Sequence, residues 1–217
     1  MERPRRGGSA RTALAAAACL AASASLAGTD ARPRVTVLLD NARVRVSKAS
    51  TAAALVDHPA AVVVALEDGA TRKAGEAWWS GDAAAAAKAG AGDPGPVIIV
   101  EPKAPAPADS PAPSAPAGAG PGPPVFTGMS FVPLFDNERV RVIRGRMDVG
   151  AREGFHTHAS DIVVVHLSGG TIEDTAQGRT KVNHWKRGDV EFEPRGSSHS
   201  ARNVGPAVDA VLVTLKP

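Results

Sequence analysis

A chain that repeats itself must fold its second half much as it folds its first. Leu38-Leu39-Asp40-Asn41-Ala42-Arg43-Val44-Arg45-Val46 returns as Leu134-Phe135-Asp136-Asn137-Glu138-Arg139-Val140-Arg141-Val142. Three further blocks recur in the same order: Val62–Leu66 with Val163–Leu167, Trp79–Asp82 with Trp185–Asp189, and Val97–Val100 with Val211–Thr214. Chance produces one such match but hardly four in one order, so the chain holds duplicated units. Within each unit the apolar residues come in short runs. Val35–Leu39 and Ala42–Val46 flank an Asp-Asn turn, and Arg139–Ile143 alternates Arg with Val or Ile as a half-exposed strand does. Ile162–Leu167 is a continuous apolar run suited to a strand buried on both faces. Turn signals such as Ser168-Gly169-Gly170, Gln177-Gly178 and Pro194-Arg195-Gly196 recur between the runs. The pattern predicts an all-β sandwich or barrel, with one short helical candidate at Asp82–Ala89.

Residues 102–124 separate the halves and hold nine of the chain's 18 prolines, with Ala, Gly and Ser. This composition cannot bury a core and reads as a semi-rigid linker. Four arginines precede the small apolar run ALAAAACLAASASLA, which ends in small-x-small sites at Ala24 and Ala27. Residues 1–27 thus have the layout of a secretory signal peptide, too short and Ala-rich for a membrane span. Cleavage there removes Cys19, the one cysteine, and leaves no disulfide and no thiolate ligand. The formal charge of +3 also resides in the leader: residues after 24 carry 21 basic and 21 acidic side chains. The balance gives no reason to expect nucleic acid as a partner.

The chemistry concentrates between Gly150 and Asn203. His156 and His158 are two apart, so on a strand they project from one face. His199 follows the Pro194-Arg195-Gly196 turn, which can return a neighbouring strand to the same point. Three convergent imidazoles are a metal-ligand set. Glu153, Glu191 and Glu193 read as the solvated face of their strands, and His166 as a satisfied core histidine. Asn203 reads as a brace that hydrogen-bonds the hairpin.

Gly150-x5-His156-x-His158 with a following acid, and Gly188-x5-Pro194-x-Gly196-x2-His199-x3-Asn203, resemble the two motifs of the cupin family. The resemblance covers Phe131–Pro217 and reaches the first half only through the repeat. It implies two tandem double-stranded β-helix (jelly-roll) barrels joined by the Pro-rich linker: a degenerate metal-free unit at 34–101 and a metal-binding unit at 125–217. It also implies that His156, His158 and His199 bind one divalent metal, Fe, Mn, Ni or Zn. Asp161 stands where the family usually has Glu, one methylene shorter and closer to His158. It either ligates the metal or orients a ligating imidazole. The first half offers only Asp57-His58-Pro59 in the corresponding place and should serve as a packing surface.

Read together, these features describe an exported bicupin, periplasmic or extracellular, acting on a small-molecule ligand or substrate, with a homodimer compatible. The family implies dioxygenase, decarboxylase or isomerase chemistry. The alternatives are a non-catalytic ligand-binding module and an assembly scaffold.

Overall fold

The computed structural model describes residues 34–51, 58–82, 84, 87, 95–103 and 125–217. The leader at 1–27 and nearly all of the linker at 102–124 lie outside them. So does most of Asp82–Ala89, of which Ala84 and Ala87 are helical. Among the described residues no helix is long and apolar enough to cross a membrane.

The first half forms one five-stranded antiparallel sheet from β1 (Val35–Asp40), β2 (Val44–Ala49), β3 (Val62–Ala65), β4 (Ala77–Trp79) and β5 (Val97–Pro102), in the order β1-β2-β5-β3-β4. The second half contains β6 (Phe126–Asp136), β7 (Val140–Thr157), β8 (Ile162–His166), β9 (Gly170–Ala176), β10 (Arg179–Trp185), β11 (Val190–Glu193), β12 (Ser198–Asn203) and β13 (Val208–Leu215). Its back sheet runs β6-β7-β13-β8-β11, the order of the first half strand for strand. The duplication legible in the sequence is therefore a duplication of sheet topology. The second half adds a front layer, β10-β9-β12, joined to the back layer through β7. This is a jelly-roll β-barrel. Among the described residues the first half has no counterpart of that front layer and is an open sheet where a second barrel was expected.

The two matching sheets bury their apolar faces against each other. Val44, Val46, Val62, Val64, Ile98 and Val100 of the first half form one core with Val140, Val142, Val163, Val165, Val211 and Val213 of the second. These are alternate residues of their strands, as a pleated sheet requires. The packing surface expected of the first half is this face. The residues between them on β8 and β13, Val164 and Leu212, point the other way, into the barrel. β8 is thus covered on both faces, which explains the unbroken apolar run at 162–165.

Candidate metal centre

β7 is 18 residues long because it serves both layers. Its first part pairs with β13 from Val140 to Met147, and its last part pairs with β12 from Arg152 to Thr157. Gly150 lies between these stretches at φ 77°. Between Glu153 and His156, β7 carries one residue more than β12, since Glu153 pairs with Ala201 and His156 with His199. Such a bulge redirects side chains, and here both Glu153 and His156 line the barrel interior. Gly154 occupies the bulge for a steric reason. Its N–H donates to the Val125 carbonyl at 3.0 Å, and a Cβ at this position would lie 2.7 Å from that oxygen.

The Pro194–Ser197 turn is tied to His158 by backbone. Gly196 N–H donates to the His158 carbonyl (2.8 Å), and His158 N–H donates to the Ser197 carbonyl (2.9 Å). Gly196 makes this geometry at φ 83°, a region costly for residues with a Cβ. The turn delivers His199 opposite His156. The three imidazoles stand with ring centroids 4.7 to 5.0 Å apart, and their candidate ligand nitrogens lie within 4.8 Å of one another.

The tautomers follow from the partners. His156 Nδ1–H donates to the Gly154 carbonyl at 2.9 Å, and His199 Nδ1–H donates to Asp174 at 2.8 Å. Each arrangement leaves an Nε2 lone pair for a cation, the usual way a ligating histidine is oriented. His158 Nε2 and His199 Nε2 are 3.0 Å apart. Two nitrogens each ~2.1 Å from one ion stand about 3.0 to 3.4 Å apart, so the donor set fits a divalent metal. Burial, followed by the neighbouring charges of His199 and His156, pushes the His158 pKa down to about 4 and keeps the ring neutral, as ligation requires.

Sequence reasoning missed the acids. Val190 and Phe192 of β11 pack on the inter-half core, so Glu191 and Glu193 face the barrel interior and not solvent. Glu193 pairs with Ile162. Its carboxylate oxygens lie 3.7 Å from His158 Nε2 and 3.9 Å from His199 Nε2, and Glu153 Oε1 lies 3.6 Å from His156 Nε2. Burial, with Glu191, Glu153 and Asp174 nearby, pushes the Glu193 pKa up to about 8. Burial first, then Asp174, likewise raises that of Glu191. Carboxylates crowded this way favour a bound cation. The signal available in the sequence was the apolar pair Val190 and Phe192, which marks β11 as buried on its other side.

Asp161 is not part of the cluster. Its carboxylate accepts from Arg43 Nε at 2.7 Å and from the Arg195 backbone N–H at 2.8 Å, and it is only 7% exposed. The residue read as a ligand, or as the orienter of a ligating imidazole, pins the first half to the second. Asn203, 1% exposed, does brace the barrel: its amide donates to the carbonyls of Met147, Asp148 and Pro206 and accepts from Gly205 N–H. In the first half, His58 lies 2.8 Å from Glu101.

No protein-family model matches the chain, and no curated protein matches it. Its neighbours among solved structures include cupin domains. A cupin domain from Bordetella pertussis is 27% identical over 42% of this chain and 95% of its own, with a TM-score of 0.39. The cupin domain of Schizosaccharomyces pombe Cnp3 is 23% identical over 43% of this chain and 69% of its own, with a TM-score of 0.37. The polyketide cyclase RemF from Streptomyces resistomycificus is 20% identical over 48% of this chain and 74% of its own, with a TM-score of 0.37.

The imidazoles open on a cavity of about 440 Å³ between the two layers. Its walls include Phe126, Phe131, Met129, Met147, Leu212 and Trp185. Phe126 stands edge-on to His156 with ring centroids 5.5 Å apart. His166 also lines the cavity and stacks on Trp185 with centroids 4.4 Å apart. It is buried as expected, but neither ring nitrogen has a hydrogen-bond partner, so it is not a satisfied core histidine.

Proposed function

We propose that this chain is an exported cupin whose second half binds one divalent metal through His156, His158 and His199, with Glu193 as a fourth donor, and acts on a small organic molecule. The observation that carries the reading is the meeting of three imidazoles, two of them with Nδ1 held by an acceptor and Nε2 free. Fe(II), Mn(II), Ni(II) and Zn(II) all accept such donors. The bound ion would supply Lewis-acid or redox chemistry at positions open to the cavity. Around it, Gly154 and Asp174 orient the rings, Phe126 shields His156 from water, and Glu191 sits where a proton can be taken up or returned. Dioxygenase, decarboxylase and isomerase chemistry are all compatible with this arrangement. The first half is, in this reading, a degenerate metal-free unit retained as a docking surface.

Elemental analysis of the purified protein tests the centre. About one equivalent of metal is expected, and it should be lost in His199→Ala while the fold persists. Retention of stoichiometric metal in that variant would refute the site. Export predicts a mature chain starting after Ala24 or Ala27, which N-terminal sequencing of the secreted fraction checks.

A further inference from the structure

The chemical class of the ligand is written in what the cavity lacks. Among the described residues, the only Lys or Arg in its wall is Arg146, which is exposed and paired with Asp148 at 3.0 Å. Lys181 lies on β10 two residues before the wall residue Asn183; it does not line the cavity, and its charge reaches Glu191 from outside the wall. Four carboxylates do line it: Glu153, Asp174, Glu191 and Glu193. A divalent ion held by three neutral imidazoles and the Glu193 carboxylate keeps at most one net positive charge. Beyond that end the wall gives an entering anion no cationic partner, only the further carboxyl groups of Glu191 and Asp174. The remaining wall is flat and soft, with Phe126, Phe131 and Trp185 rings and Met129 and Met147 thioethers, surfaces that pack well on a planar ring. At the wall stands His166, 4% exposed and stacked on Trp185, which extends that flat surface.

We infer that the cavity takes an uncharged aromatic molecule bearing hydroxyl groups and discriminates against the same molecule bearing a carboxylate. A hydroxyl oxygen reaches the metal end, the ring lies against the aromatic wall, and Glu191 accepts a hydroxyl proton in a hydrogen bond. This deepens the metal-site reading and rests on it only for the end of the ligand that meets the imidazoles.

Catechol and protocatechuate, which is catechol with one added carboxylate, form a matched pair of probes. Binding to the zinc-loaded full chain is measured by isothermal titration calorimetry. Catechol is expected to bind about tenfold or more tightly than protocatechuate. Glu191→Gln, which keeps shape and gives the wall an amide N–H donor, should tighten protocatechuate binding and narrow that gap. Propylene glycol, an aliphatic diol, should bind far more weakly than catechol. Equal or tighter binding of protocatechuate overturns the inference, and so does equal binding of propylene glycol or no catechol binding at millimolar concentration. Metal content is read separately by elemental analysis. A chain that holds no zinc yet prefers catechol sinks the metal reading alone, and a zinc-loaded chain that prefers the carboxylate sinks this inference alone.

Discussion

Asp161 separates two physical accounts of this protein, and replacing it decides between them. In Asp161→Ala, Arg43 Nε loses an acceptor at 2.7 Å and the Arg195 N–H loses one at 2.8 Å. A hydrogen bond to a charged group contributes ~1.5–3 kcal/mol. Breaking a buried ion pair by removing one partner costs ~3–5 kcal/mol. The Arg43 side chain keeps 18% exposure, so part of its charge returns to water and the lower end applies. The expected loss is about 3 kcal/mol of unfolding free energy, read as a lowered urea midpoint at unchanged slope. Asp161→Asn retains an acceptor for Arg195 and should lose about half of that. A cycle with Arg43→Ala should give a coupling of about 1–2 kcal/mol, because the pair is in direct contact. Metal stoichiometry should be unchanged in all three variants. If Asp161→Ala keeps its urea midpoint but loses bound metal, the carboxylate is a ligand and the ion-pair account is wrong.

Three further outcomes follow from the site. Asp174→Asn removes the anionic acceptor that holds His199 Nδ1–H and should weaken zinc about 10- to 100-fold in a chelator competition. Gly154→Ala forces a methyl group against the Val125 backbone; about 1–3 kcal/mol of stability and a similar share of zinc affinity should be lost, since the His156 acceptor moves with the bulge. Burial pushes the His166 pKa down to about 4 from 6.5, so the unfolded chain takes up a proton on this residue that the folded chain refuses. The stability associated with its neutral form is present above pH 6.5 and is lost as pH falls through about 4, by roughly 2–3 kcal/mol. His166→Phe should flatten that part of the acid limb in urea titrations at stepped pH; an identical limb would refute the assignment.

The repeat and the histidines were legible because both depend on local spacing. Alternation along 139–143 shows a strand wherever it occurs, and His156 and His158 share a face on any strand. The Pro194-x-Gly196 turn places His199 by backbone geometry alone. Glu191 and Glu193 were misread because alternating acids mark a solvated face only when the other side is the one buried face. On β11 the second face borders a cavity, a fact set by strands distant in sequence. Asp161 was misread for the same reason: its partner, Arg43, comes from the other half of the chain. The first half shares its strand order with the back sheet, and no local pattern announces that its described residues form no front layer.

A single thickness of backbone stands between the barrel chamber and the seam where the halves meet. On β8, Val163 and Val165 belong to the seam while Val164 and His166 belong to the chamber. On β13 the same holds for Val211 and Val213 against Ala210 and Leu212. Neighbouring peptide units are rigidly linked, so a substitution that loosens the seam also tilts the chamber wall, and a molecule filling the chamber stiffens the seam. The half that carries no imidazole set of its own is in this way the backing plate against which the other half keeps its shape.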